Sequence, residues 1–277
     1  MTGFPGETWF VGCGKMAGAM VEGWRRAGVD LGEAIAIRPS GTPVDGVRTI
    51  RELPATGSPT FVLLGIKPQK LDDVAAELSK RLNSNTILVS ILAGVELKSL
   101  RHRFPTAGQI IRAMPNLPVS ENRGIVAQFS NETFDGNPHG ARSVTDDLFA
   151  PLGTVVRTNS EADLAAIGSL AGAGPAYVAR FVAALAKAGT ERGLDPALAD
   201  RLALETVLGT ATMAANRDEN MVSIARRVAS PNGTTEAGLN ILDAGLDDLV
   251  ARTLEAASRR GAELAVAARI DSTPPLA

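Results

Sequence analysis

The apolar pattern of this chain changes character near residue 159, and that change constrains the fold more than any other feature. Before it, short apolar runs alternate with amphipathic stretches. Strands are expected at residues 9–11, 34–37, 60–66, 86–91, 109–114, 125–129 and 154–157, with helices between them at 16–27, 71–82, 96–103 and 142–149. Such alternation predicts a mostly parallel, doubly wound sheet, because parallel neighbours need a crossover and a helix supplies it. Beyond residue 159 no strand signal survives, and helices are expected at 162–170, 175–192, 196–216, 221–228 and 235–269. Pro175 and Pro196 fall where a first helical turn tolerates proline, and Asp195 is placed to cap the helix that Pro196 begins. The expected organisation is α/β plus all-α, divided into residues 1–159 and 160–277, with a frayed tail at 272–277.

Composition narrows the partners. Lys and Arg number 28 against 30 Asp and Glu, interspersed, so the net charge of −2 creates no field that draws in nucleic acid or an anionic membrane. Small metabolites are the expected partners. The single cysteine, Cys13, excludes an internal disulfide. No uninterrupted apolar run approaches the roughly 20 residues of a bilayer span, and no basic-then-apolar opening resembles a secretory signal. The expectation is a cytoplasmic protein without membrane or nucleic-acid partners. Aromatics make up only 4% of residues, which points to aliphatic helix packing rather than a stacking platform for bases. The helices after residue 159 are apolar on more than one face, more surface than a lone domain of that size buries, so self-association through this half is expected.

The first strand runs straight into a glycine turn. Trp9-Phe10-Val11 is followed by Gly12-Cys13-Gly14 and then by Lys15-Met16-Ala17 at a helix start, the arrangement that receives a dinucleotide pyrophosphate. Ala17 takes the small position where helix meets sheet, and Met20, Val21 and Trp24 continue the apolar helix face. The α/β half is therefore read as a Rossmann-type domain in which Val11, Gly12, Cys13, Gly14, Lys15 and Met16 hold the cofactor. Where an NAD site places an acidic residue, the second strand ends in Arg38-Pro39-Ser40, so Arg38 and Ser40 suit a 2′-phosphate and NADP(H) is expected over NAD(H). Read alone, Arg38 also fits a solvated loop cation. Gly65, Ile66, Lys67 and Pro68 end another buried strand at the same edge, and Asn116, after Met114-Pro115, makes a rigid turn there that equally fits an ordinary connection. Cys13 is a spacer, since no histidine lies nearby to activate it. His102 and His139 are far apart and lack metal-ligand spacing, so no metal site is expected.

A second ligand site is expected in the helical half. Ser230-Pro231-Asn232-Gly233-Thr234-Thr235 puts a Pro-Asn-Gly turn and two hydroxyls at a helix mouth, where free N–H groups hold a small carboxylate. Ser230, Asn232, Gly233, Thr234 and Thr235 are the candidate substrate residues. Gly172-Ala173-Gly174-Pro175-Ala176 opens a long helix with small residues that let backbone approach a ligand or another helix, and Tyr177, the only tyrosine, serves packing.

Together these motifs resemble the pyrroline-5-carboxylate reductase family, NAD(P)H-dependent enzymes that form proline in the last step of its biosynthesis. The likeness runs nearly end to end. The family's glycine-rich turn is similar to residues 11–17, its Ala-Val-Lys-Pro stretch to Gly65-Ile66-Lys67-Pro68 and its Met-Pro-Asn turn to Met114-Pro115-Asn116. Its Gly-Ser-Gly-Pro-Ala segment is similar to residues 172–176, and its Ser-Pro-Gly-Gly-x-Thr signature, the most specific match, to residues 230–235. The resemblance implies an all-helical dimerisation domain, a dimer or ring of dimers, and a cyclic imine as substrate. It also implies substrate contacts by Glu161 and Thr234, and a catalytic place near the imine nitrogen for Thr235. Three positions depart from the family pattern: Ala173 replaces a serine, Asn232 replaces the first glycine of the pair, and Glu52 or a neighbour stands where an asparagine often meets the cofactor.

Alternatives remain at this stage. A β-hydroxyacid dehydrogenase shares the two-part plan but needs a lysine four residues beyond Gly174, where this chain has Val178. A reductase of a six-membered cyclic imine is compatible with Ala173. A non-catalytic NADP-binding sensor would keep the cofactor turn without turnover.

Overall fold

The computed structural model describes residues 3–131, 141–217 and 219–270; His139 and the tail at 272–277 lie outside these. The first half contains β1 (Thr8–Val11), α1 (Lys15–Arg26), β2 (Ala34–Ile37), β3 (Arg48–Ile50), β4 (Phe61–Leu64), α2 (Leu71–Leu78), β5 (Ile87–Ser90), α3 (Leu97–Arg103), β6 (Gln109–Pro115), β7 (Gly124–Phe129), α4 (Ala141–Phe149) and β8 (Gly153–Arg157). These strands form one sheet in the order β3-β2-β1-β4-β5-β6-β7-β8. All neighbours are parallel except β6 and β7, whose short connection through a 3-10 turn at Leu117–Glu121 makes them antiparallel. The mostly parallel, doubly wound sheet expected from the alternation is present.

Both faces of the sheet are covered, as parallel strands require. The period of two divides each strand between two cores: Phe10, Phe61 and Leu63 point to the face covered by α1, with Met20, Trp24 and Leu148. Trp9, Val11, Val62 and Leu64 point to the other, with Leu71, Leu78, Leu97 and Leu100. Trp24 Nε1–H donates to the Leu148 carbonyl at 2.6 Å, giving the buried indole its one polar partner.

The second half is helical: α5 (Glu161–Ile167), α6 (Gly174–Glu191), α7 (Pro196–Arg217), α8 (Met221–Val228), α9 (Thr234–Asp243) and α10 (Leu246–Ile270). Asp195 caps α7 as expected, accepting the Leu198 N–H at 3.0 Å. Compactness divides the chain into one unit of residues up to 173 together with those from 257, and a second of residues 174–256. Within the first unit, Glu161 ties α5 to Arg112 on β6, and the Ala171 carbonyl of the π-helical turn after it (Gly168–Gly172) accepts from Asn116, just beyond the end of β6. Within the second, α6 packs along α7, and the buried apolar residues are four alanines and Ile224. That is too little to close a core, while Leu204, Leu208, Met221, Val222 and Ile241 stay more than half exposed.

Three expectations need correction. The edge strand β3 was not foreseen, because three residues with one exposed end carry no alternation. The single helix expected at 235–269 is two helices, since the chain turns at Ala244 and Gly245 between α9 and α10. Counted along the continuous helical run Glu161–Glu191 rather than along uninterrupted apolar residues, one stretch among the described residues is long and apolar enough, by length and composition, to cross a bilayer, with 6% of its most apolar window buried.

Candidate active site

The sheet brings the expected cofactor residues to one edge. Val11 is in register with Ile37 on one side and Leu64 on the other, so Gly12, Arg38 and Gly65 leave three adjacent parallel strands together at their carboxyl ends. The Gly12 N–H donates to the Ile37 carbonyl at 3.0 Å and the Gly65 N–H to the Val11 carbonyl at 2.8 Å, which extends the ladder one step past the strands. This is also where the winding reverses, β2 and β3 lying on one side of β1 and β4 onward on the other. A crevice for ligands opens at such a point.

Gly12 is demanded there. Its φ of +80° disfavours any side chain, and an added Cβ would lie 2.4 Å from Ile66 Cγ2 and 2.8 Å from the Ile66 nitrogen. Gly14 is the N-cap of α1, extended and without a side-chain cap, and nothing lies within 4 Å of the Cβ it lacks. No acidic residue occupies the first turn of α1, and Lys15 is exposed. Free N–H groups, the positive end of the helix and open space beside it fit a dinucleotide pyrophosphate.

Cys13 is buried, and desolvation pushes its thiol up to about 11 against the opposing field of Arg38, which keeps it neutral. Arg38 Nη1–H donates to the Thr42 carbonyl at 3.0 Å, and the Ser40 and Thr42 hydroxyls lie 2.9 Å apart in the same exposed loop. Lys67 is exposed at the start of the 3-10 turn Pro68–Lys70. Asn116 is 6% exposed, and both ends of its amide are engaged: Nδ2–H donates to the Ala171 carbonyl at 3.0 Å, and Oδ1 accepts the Ile125 N–H at 2.7 Å. It fixes the turn at the end of β6.

Glu161 has a partner that sequence reasoning did not supply. Arg112, 7% exposed on β6, pairs with Glu161 Oε1 at 3.3 Å, and the same oxygen accepts the Leu97 N–H at 2.7 Å at the start of α3. Both contacts use Oε1, and Oε2 makes no hydrogen bond or ion pair among the described residues. No local signal links residues 112 and 161; only the sheet brings them together.

The loop before α9 is exposed at Ser230, Asn232, Thr234 and Thr235. Asn232 has φ 58°, the left-handed region that asparagine tolerates better than other residues with side chains, so it performs the turn for which the family uses glycine. Its N–H donates to Glu236 Oε2 at 2.7 Å, and the Gly233 N–H donates to the Ser230 carbonyl at 2.9 Å. Of the backbone N–H groups at residues 232–235, this leaves those of Thr234 and Thr235, the first two residues of α9, which has Gly233 as N-cap and no side-chain cap. The lysine that a β-hydroxyacid dehydrogenase requires is absent here: Val178 occupies its place, and Lys187 is an exposed cation paired with Glu191 at 3.7 Å. His102 is exposed, and no group of His, Cys, Asp and Glu suited to a metal occurs among the described residues.

Comparison with known proteins agrees with this geometry. Residues 161–264 match the family model described as pyrroline-5-carboxylate reductase dimerisation, and residues 8–94 match that of NADP oxidoreductase, coenzyme F420-dependent. The chain is 32% identical to a pyrroline-5-carboxylate reductase of Pseudomonas aeruginosa over 266 residues, 92% of this chain and 96% of the relative. A solved pyrroline-5-carboxylate reductase from Coxiella burnetii superposes with a TM-score of 0.83 at 31% identity, covering 94% of this chain and 98% of that one. The fold is shared as well with a Plasmodium falciparum pyrroline carboxylate reductase solved with NADP bound, at a TM-score of 0.82 and 23% identity over 94% and 98% of the two chains. A two-part fold, a glycine turn at the switch point of the sheet and near-complete coverage by these relatives lead to one conclusion: the chain belongs to the pyrroline-5-carboxylate reductase family.

Proposed function

We propose that this chain carries out the reaction of its family, the NADPH-dependent reduction of 1-pyrroline-5-carboxylate to L-proline, with the carboxyl edge of the sheet as cofactor site and residues 230–235 as substrate site. The observation that carries the assignment of the substrate site is the open first turn of α9, uncapped by any side chain and bearing the Thr234 and Thr235 hydroxyls. The N–H groups of that turn hold the ring carboxylate. Glu161 contributes through Oε2, and Ser230, Asn232 and Gly233 shape the loop. The Thr235 hydroxyl hydrogen-bonds the ring nitrogen as it becomes an amine. A protonated imine is already electrophilic, so the task of these residues is orientation and charge matching.

When bound, NADP(H) supplies the hydride that the C=N carbon accepts. Val11, Gly12, Cys13, Gly14, Lys15 and Met16 cradle its pyrophosphate, and Gly65, Ile66, Lys67 and Pro68 border it on the β4 side, while Asn116 holds the turn at the end of β6. Arg38 and Ser40 receive the 2′-phosphate, which favours NADP(H) over NAD(H). The apolar faces of the helical half meet a second subunit, in a dimer or a ring of dimers, rather than a bilayer or nucleic acid; the dimerisation model spanning residues 161–264 supports this. The cytoplasm is the assigned location.

The test follows NADPH absorbance with purified protein and 1-pyrroline-5-carboxylate, repeated with NADH and with the six-membered homologue. Rapid oxidation with the five-membered ring, slower with NADH and with the larger ring, is the expected result. NADPH binding without turnover of the five-membered ring would overturn it in favour of a six-membered substrate or a sensor.

A further inference from the structure

The register of the sheet places a second arginine beside Arg38. Ile37 pairs with Ile50 at the ends of β2 and β3, and the Arg38 N–H donates to the Ile50 carbonyl at 2.8 Å. Arg38 and Arg51 therefore leave neighbouring parallel strands side by side at the carboxyl edge. The loop from Arg38 folds back on itself, the Gly41 N–H donating to the Arg38 carbonyl at 2.8 Å. Gly41 has φ +69°, and a Cβ added there would lie 2.7 Å from Arg51 Nε and 3.1 Å from its Nη2. The Arg51 guanidinium thus lies directly against the backbone of the loop that carries Ser40 and Thr42.

Among the described residues, no carboxylate pairs with either cation. Arg38 is held only by the Thr42 carbonyl, and Arg51 makes no hydrogen bond or ion pair among the described residues. Glu52, next in the chain and exposed, pairs with neither. Two like charges on neighbouring loops, beside the Ser40 and Thr42 hydroxyls and paired with no carboxylate among the described residues, are relieved by an anion of more than one negative charge. At the end of the second strand of such a sheet, the anion that distinguishes one dinucleotide from the other is the adenosine 2′-phosphate.

We infer that Arg51 is a second cation of the 2′-phosphate subsite, beside Arg38 and Ser40, and a determinant of preference for NADP(H) over NAD(H). This rests on the reading that NADP(H) binds at the glycine turn. β3 exists in part to present it: a strand of three residues at the sheet edge carries Arg51 one step beyond its last pair.

The test is calorimetric binding of NADPH and of NADH to the full-length oligomer, wild type against Arg51→Ala, Arg51→Lys and Arg38→Ala, with Arg48→Ala on the body of β3 as control. Arg51→Ala is expected to weaken NADPH binding about tenfold, the size of one charge-assisted contact, and to leave NADH within about twofold. Lysine at 51 restores part of the loss, and Arg48→Ala changes neither ligand. If the wild type discriminates and Arg38→Ala loses that discrimination while Arg51→Ala keeps it, the role of Arg51 is overturned alone. If the wild type binds NADPH and NADH equally, the cofactor preference itself fails and the subsite with it.

Discussion

The N–H of Asn232 donates to the carboxylate of Glu236 at 2.7 Å, fastening the loop before α9 to the helix it introduces. The glutamate is the third residue of that helix, where a carboxylate reaching back toward the entering chain satisfies a donor and complements the helix dipole. Asn232 can serve here because its left-handed backbone is within reach of asparagine.

Asn232→Gly should therefore be nearly silent, keeping kcat/KM within about threefold of wild type, since glycine adopts the same φ without strain. Asn232→Val should raise KM for the imine about tenfold, because a β-branched residue in this region costs roughly 1–2 kcal/mol and shifts the loop. Steady-state kinetics of the two variants decide the point; equal KM values would mean that the turn does not shape the site.

Arg112 and Glu161 join β6 to the start of α5. Removing the arginine leaves a half-buried carboxylate with only the Leu97 N–H, so Arg112→Met should destabilise the protein by roughly 2 kcal/mol, less than for a fully buried pair because Glu161 keeps some solvent. Urea denaturation measures this. The double variant with Glu161→Gln should recover part of the loss, whereas additive losses would show that the pair does not couple.

The Cys13 thiol, pushed up to about 11 by burial, is neutral across the physiological range. Folding favours the neutral form, so the contribution of Cys13 to stability is present below the ordinary thiol value of 9.0 and is lost as pH rises toward about 11. Alkylation by iodoacetamide at neutral pH should accordingly be far slower than for a free thiol and accelerate with alkali, and Cys13→Ala should retain activity. Rapid labelling at neutral pH would contradict the burial.

Leu204 and Leu208 lie four residues apart on α7, each 56% exposed, in a unit whose own buried apolar residues are almost all alanine. Replacing both by glutamate should convert the proposed assembly to single chains or unfold the helical half, because on that proposal this apolar surface is buried between subunits. Light scattering coupled to gel filtration, with circular dichroism, reads the outcome. An unchanged mass would place the interface elsewhere.

Much of this architecture is legible in the residues. The β-α alternation, the glycine turn and the Ser-Pro-Asn-Gly-Thr-Thr loop rest on local patterns, and those survive in the structure. The features that sequence did not reveal are the non-local ones. β3 is too short and too polar to read as a strand, and with it went the pairing of Ile37 with Ile50 that brings Arg51 beside Arg38. Arg112 and Glu161 are distant in sequence, and only the sheet order unites them. The break between α9 and α10 was hidden because Ala244 fits a helix and one glycine, Gly245, is tolerated in one.

The central claim is that the loop before α9 is the substrate site and that the Thr235 hydroxyl acts on the ring nitrogen. It is tested most directly by comparing Thr235→Ala and Thr235→Ser with wild type in reduction of 1-pyrroline-5-carboxylate, with NADPH affinity measured alongside. Loss of one such contact should lower kcat/KM for the alanine variant about tenfold or more, roughly 1–3 kcal/mol, with NADPH affinity unchanged and serine restoring most of the rate. Full kcat/KM in the alanine variant would contradict it.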